Sequence, residues 1–138
     1  MRLFKWTKAL AVFIPEIDAE HQTIFRMADD LHQAVLTHAP VSRIQELLRA
    51  LAAYTEDHMA HEEKIMRSLR YPAFAWHKNQ HDTVRKRIAY FGPLIETGDP
   101  EAAEMLVEFL SQWLKDHLGL ADRMMTAYVR NQRRLRAA

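Results

Sequence analysis

Leu51-Ala-Ala-Tyr-Thr-Glu-Asp-His-Met-Ala-His-Glu-Glu-Lys-Ile65 is the stretch that decides the fold. Leu51, Tyr54, Thr55, His58, Glu62 and Ile65 recur along it at the three- and four-residue steps of one helical face. No glycine or proline interrupts it, and Ile44, Leu47, Leu48 and Leu69 extend the seam in both directions. Two positions of this otherwise apolar seam are ionisable, His58 and Glu62. Burying such groups unpaired is expensive, so a helix that carries both on its inner face needs a partner for them, and a metal cation is an economical one.

The same signature recurs outward from this stretch. Phe74, His77, His81, Val84, Ile88, Phe91 and Ile95 form a second seam, and Ala103, Leu106, Leu110, Trp113 and His117 a third. Ile17, His21, Ile24, Ala28, Leu31 and Val35 form a fourth. Residues four apart lie about 40° around a helix and ~6 Å along it. His58 with Glu62, and His77 with His81, can therefore reach one ion or one ion each of a close pair. His117 and Asp122 are five apart, about 140° around a regular helix. Both can face inward only if the backbone deviates between them, and Gly119 permits that.

The donor set is five imidazoles and two carboxylates from four amphipathic helices. Two divalent ions need roughly ten to twelve coordination positions. Five nitrogens and two bridging carboxylates supply nine bonds, and a bridging hydroxide or oxide two more. About one position stays open for an exogenous ligand. Ferritin-like di-iron sites are richer in carboxylate. A set dominated by neutral imidazole favours reduced metals and the reversible binding of a small gas over oxidative attack on a substrate. Imidazole-rich sites suit iron, zinc, copper and nickel alike, so the residues alone do not name the metal.

The punctuation between seams predicts a single all-α domain over 1–138, an antiparallel up-down-up-down four-helix bundle. An N-terminal arm occupies 1–16 and a short C-terminal helical tail 123–138. The first helix is expected to start at Asp18 as N-cap and to end near His38, before Pro40. The second opens at Ser42, with Gln45 at a capping-box spacing. The third starts at Pro72, is kinked or ended early by Gly92-Pro93, and is closed by Gly98. The fourth takes Asp99 as cap and Pro100 as its first residue.

Composition supports helices: there are only 3 glycines and 5 prolines. A net charge of +1 gives no reason to expect nucleic acid. No cysteine is present, which excludes disulfides, thiolate ligands and iron–sulfur clusters and suits a cytoplasmic protein. The basic start Met1 to Lys8 precedes an apolar run too short for a signal peptide and ended by Pro15. No stretch approaches the ~18 apolar residues of a membrane span.

Four motifs together resemble the hemerythrin family in its bacterial single-domain form: Ile17-Asp-Ala-Glu-His21, His58-Met-Ala-His-Glu-Glu63, His77-Lys-Asn-Gln-His81 and Trp113-Leu-Lys-Asp-His117-Leu-Gly-Leu-Ala-Asp122. The resemblance implies two iron ions with a bridging oxide or hydroxide. It gives His77, His81 and His117 to a six-coordinate iron and His21 and His58 to the other. Glu62 and Asp122 would bridge the pair. It also implies dioxygen binding at the open position of the two-histidine iron, in a dry pocket for which Ile24, Phe25, Met59, Trp113, Leu114 and Leu118 are the candidates. The chain departs from the family at Met59, where phenylalanine is frequent, at Glu20, where glutamine is common, and at Met125, where tyrosine often stands.

The carrier reading competes with a redox enzyme on the same centre, an oxygen- or iron-responsive interaction module, and a plain metal reservoir. An oxygen-consuming enzyme or a reductase would be the natural partner of a carrier, and the chain is expected to be a monomer or weak oligomer. His32, His38 and His61 are expected to be solvated or to sit outside the ligand shell, and Glu63 to be exposed or paired with a base. Asp18, Glu20, Asp57 and Asp116 neighbour ligand histidines and are read first as helix-surface carboxylates. Arg130, Arg133, Arg134 and Arg136 read as a frayed, solvated helix end.

Overall fold

A computed structural model describes residues 3–137. Met1 and Arg2 of the expected arm and Ala138 of the expected tail lie outside the described residues. The helices are α1 (Pro15–Leu36), α2 (Val41–Ser68), α3 (Phe74–Glu96), α4 (Pro100–Asp116) and α5 (Arg123–Ala137). A six-residue π-helical segment, His117–Asp122, joins α4 to α5, and both of its flanking residues keep right-handed helical angles. α1 packs on α2, α2 on α3, α3 on α4 and α4 back on α1, which closes a four-helix bundle. None of the described helices is long and apolar enough to cross a membrane.

The helix ends differ from the sequence reading wherever a local competitor takes the capping role. α1 starts at Pro15, with extended Ile14 as its N-cap. Asp18 does not cap it. Its carboxylate accepts instead from the Val12 and Phe13 amides, at 2.8 and 3.1 Å, and so ties the arm down. The arm therefore ends at Ile14. α2 starts at Val41 after Pro40, without a side-chain cap. Gln45 reaches across to donate to the Glu96 carbonyl at 2.7 Å, satisfying the end of α3 rather than closing a capping box with Ser42. α3 starts at Phe74, not Pro72, and runs through Gly92-Pro93 to Glu96. Pro93 lies in the last turn, where one missing amide leaves the helix intact. Asp99 behaves as read: its Oδ1 accepts from the Glu101 and Ala102 amides, with Pro100 first in the helix.

α1, α2 and α3 all close with the same motif. A left-handed residue follows the C-cap, and the next amide reaches back five residues to a carbonyl, the Schellman pattern. The bonds are Ala39 to Ala34, Tyr71 to Met66 and Asp99 to Leu94. Only the third uses glycine, Gly98, at φ 89°; His38 and Arg70 fill the other two, both at φ 53°. This is why α1 stops at Leu36 rather than His38.

Two apolar clusters fill the interior. The larger includes Ile24, Phe25, Leu31, Leu51, Met59, Leu106, Leu110, Leu114 and Leu118. The smaller comprises Val12, Ile14, Ile17, Met66, Tyr71, Met125 and Val129. Along α1 the order is Ile17, His21, Ile24; along α2 it is Met59, Glu62, Met66; along the last segment it is Leu118, Asp122, Met125. The ionisable residues thus form a layer between two dry clusters. The first half of the C-terminal stretch belongs to that packing and is not frayed: Met125, Thr126 and Val129 are buried, and the Tyr128 hydroxyl donates to the Leu69 carbonyl at 2.6 Å. Arg130, Arg133, Arg134 and Arg136 remain exposed, with Arg133 3.0 Å from Glu16.

Candidate metal centre

All seven residues singled out in the sequence converge in this layer, and all are buried: His21, His58, Glu62, His77, His81, His117 and Asp122. They fall into two groups. The ligand atoms of Glu62, His77, His81, His117 and Asp122 lie within 4.8 Å of one another, as do those of His21, His58, Glu62 and Asp122. Each carboxylate belongs to both groups and divides its oxygens between them. Glu62 Oε1 is 3.3 Å from His77 Nε2 and 3.1 Å from His81 Nε2. Its Oε2 is 3.5 Å from His21 Nε2 and 3.2 Å from His58 Nε2. Asp122 Oδ1 is 3.1 Å from Nε2 of both His77 and His117, and its Oδ2 is 3.2 Å from His21 Nε2.

Asp122 reaches this position through the π segment. Its i→i+5 register brings residues five apart onto one side, which a regular helix does not do. Gly119 is not the cause. Its φ is not positive, and a Cβ there would meet nothing within 4 Å.

Proximity here is not hydrogen bonding throughout. Nε2 of His21 and His117, Oε2 of Glu62 and both oxygens of Asp122 are buried with no hydrogen-bond partner. Buried polar atoms are rarely left so. Inward-facing lone pairs that converge without satisfying one another fit cations placed between them. The charges agree. Burial pushes the Glu62 and Asp122 carboxyls up, but the surrounding imidazoles outweigh it and hold both well below the carboxylate range. Burial pushes His21, His58 and His77 down, but Glu62 and Asp122, joined at His58 by Glu20, outweigh it and raise them to about 9, 10 and 9. Only His117 is lowered, by its burial.

The far nitrogens of three rings are held from outside. His58 Nδ1 donates to Glu20 Oε1 at 2.6 Å, His81 Nδ1 to Glu63 Oε2 at 2.8 Å, and His117 Nδ1 to Gln80 Oε1 at 2.8 Å. Such contacts fix the tautomer that presents Nε2 inward and raise its basicity. Glu20 is therefore not a surface carboxylate; its second oxygen accepts from His61 Nδ1 at 2.8 Å. Glu63 is paired with Arg85, at 2.8 Å, but is buried rather than exposed. Asp18 serves the arm, and Asp116 accepts from Gln112. Gln80 was missed in the sequence, where nothing separates it from other polar residues of α3. His32 is buried against the Phe4 ring rather than solvated, 6.1 Å between centroids. His38 is exposed.

An apolar cavity of about 10 Å³ adjoins the cluster and is walled by His21 and His58 of one group and by His81 and His117 of the other. Ile24, Phe25, Met59, Trp113, Leu114 and Leu118 all line it, together with Thr55, which the sequence reading placed only on the seam. Trp113 lies flat on His117, with centroids 4.3 Å apart and planes 12° from parallel. The larger groove, about 650 Å³, is an open feature of the outer face of α3 and α4 between Lys86 and Met105 and holds no cluster residue.

Residues 12–129 match the family described as the hemerythrin HHE cation binding domain. The bacteriohemerythrin of Stenotrophomonas maltophilia is 32% identical over 118 residues, covering 86% of this chain and 76% of that protein. The bacteriohemerythrin of Methylococcus capsulatus is 31% identical over 125 residues, covering 90% of this chain and 95% of that one. A crystal structure of a hemerythrin leucine-to-alanine mutant superposes with a TM-score of 0.85 at 29% identity, covering 94% of this chain and 98% of the other.

Proposed function

The chain belongs to the hemerythrin family, and on that premise we propose that it binds dioxygen reversibly at a non-haem di-iron centre. The observation that carries this reading is the division of the Glu62 and Asp122 oxygens between a three-histidine group and a two-histidine group. His77, His81 and His117 would hold one iron and His21 and His58 the other, with Glu62 and Asp122 shared between the two groups. The two irons, when bound, supply the electrons that a gas ligand takes up and returns.

The rest is the work of the chain. The two-histidine group has one donor fewer, so the open position would fall to that group, and the apolar cavity reaches both of its histidines. Ile24, Phe25, Met59, Leu114 and Leu118 keep that cavity small and dry, which excludes bulk water and larger substrates. Trp113 fixes the His117 ring by stacking. Glu20, Glu63 and Gln80 hold three rings in the binding tautomer.

The test is an oxygen titration of the iron-loaded, anaerobically reduced protein. The reading expects a colourless protein that gains a visible charge-transfer band with oxygen and loses it under vacuum. Irreversible oxidation without that band, or sustained turnover with a reductant, would replace the carrier by a redox enzyme.

A further inference from the structure

Threonines inside helices commonly turn the hydroxyl back onto their own backbone. Five of this protein's threonines do so: Thr23 donates to the Ala19 carbonyl at 3.0 Å, Thr37 to Gln33 at 2.9 Å, Thr83 to Asn79 at 3.2 Å, Thr97 to Leu94 at 2.7 Å and Thr126 to Asp122 at 2.7 Å. Thr55, in the middle of α2, does not. Among the described residues its hydroxyl has no partner, although the residue is only 7% exposed. Its hydroxyl oxygen is not among the buried side-chain atoms left without a partner, so it keeps some accessible surface, and its failure to bond within its own helix calls for a physical reason.

Its surroundings supply one. Thr55 stands one turn before Met59 and three residues before His58. It lines the cavity beside His21 and His58 and also the adjoining apolar cavity bounded by Ala28, Leu51, Val84 and Leu110. No other hydroxyl-bearing residue lines either cavity. At about 10 Å³, the cavity by the cluster has room for roughly one water-sized group. Any ligand atom that projects from the open position into it is therefore close to every side chain of its wall.

We propose that Thr55 is a positioning residue that donates a hydrogen bond to the outer atom of a small ligand bound in this pocket. It selects ligands whose outer atom carries lone pairs, such as azide or nitrite, over apolar ones of the same size. The inference rests on the metal and pocket assignment above. It adds one directed polar group to a wall otherwise made of hydrocarbon and metal-cluster side chains.

Thr55→Val keeps the shape and removes the donor, while Thr55→Ser keeps the donor. Azide is titrated into the iron-loaded, oxidised protein and followed by visible absorbance and by the azide infrared stretch. Thr55→Val should bind azide about five- to tenfold more weakly, the worth of one hydrogen bond, with a shifted stretch. Thr55→Ser should stay within about twofold of the parent, with the parental stretch. The metal-free melting midpoint of Thr55→Val should match the parent's, because the hydroxyl makes no bond within the protein. Unchanged azide affinity and stretch in Thr55→Val would overturn the proposal. So would a lowered metal-free midpoint with azide binding intact, which would make Thr55 a packing residue. A fully iron-loaded parent that binds no azide would instead overturn the pocket assignment on which the proposal stands.

Discussion

His117 Nε2 lies 3.1 Å from Asp122 Oδ1, although the two residues are five apart in sequence. The π segment between them creates this contact, and single π turns of this kind are characteristic of functional sites. The register depends on the count of residues and not on glycine. Gly119→Ala should keep full metal loading and raise stability by about 0.5–1 kcal/mol through the better helix propensity of alanine. Deleting Leu120, which is exposed, should return the segment to α register with His117 and Asp122 four apart on one face, and so preserve loading of both metals. Iron per chain and thermal midpoint check both variants; loss of iron in Gly119→Ala would contradict the account.

Metal and pH should act on stability in opposite directions. His21, His58 and His77 are raised to about 9–10 by their carboxylate neighbours. Their contribution to the metal-free protein is fully present below the unfolded value near 6.5 and is lost as pH rises through 9–10. His117 is shifted the other way, one ring against three. Glu62 and Asp122, held low, contribute above their unfolded values and lose that contribution only in acid. The metal-free melting midpoint should therefore fall between pH 7 and pH 9. Metal needs neutral imidazole, so the rise in midpoint on metal addition should grow over the same range. A metal increment that shrinks toward pH 9 would contradict the assignment.

Glu63 joins the buried His81 ring and the half-buried Arg85 guanidinium, each at 2.8 Å. Glu63→Ala leaves the buried His81 Nδ1 without its acceptor, while Arg85 keeps Glu56 and Asp82, and should cost about 1–3 kcal/mol in denaturant unfolding. Loss of the outer partner of a ligand histidine should also weaken metal binding about 10- to 100-fold. Competition with a chelator measures the second effect; unchanged affinity would place His81 outside the ligand set.

The three Schellman closures make a matched set of stability tests. Gly98→Ala forces a Cβ into φ 89° and should cost about 1 kcal/mol, with no contact closer than 3.5 Å to blame. Arg70→Gly relieves φ 53° and should gain up to about 1 kcal/mol. Urea midpoints at constant slope decide both.

The converging cluster of seven side chains and the bundle were legible because both are written in single-helix spacing. His58 with Glu62, and His77 with His81, show their common face within five residues of sequence. Trp113 and Leu114, one turn before His117, and Leu118, next to it, could be placed beside the cavity for the same reason. What could not be read depends on rotation between helices. Gln80 reaches His117 from another helix, and Glu20 joins His58 to His61 across α1 and α2; no local pattern marks either. Helix starts failed where a cap residue had a rival use, as with Asp18 on the arm and Gln45 on the Glu96 carbonyl. The deviation at 117–122 was required by the five-residue spacing, but its form, a π turn rather than a glycine-dependent bend, was not.

The most direct test of the centre is anomalous diffraction at the iron edge from crystals of the iron-loaded protein. The account predicts two peaks flanked by Glu62 and Asp122, one among His77, His81 and His117 and one beside His21 and His58. A single peak, or iron bound away from these side chains, would contradict it.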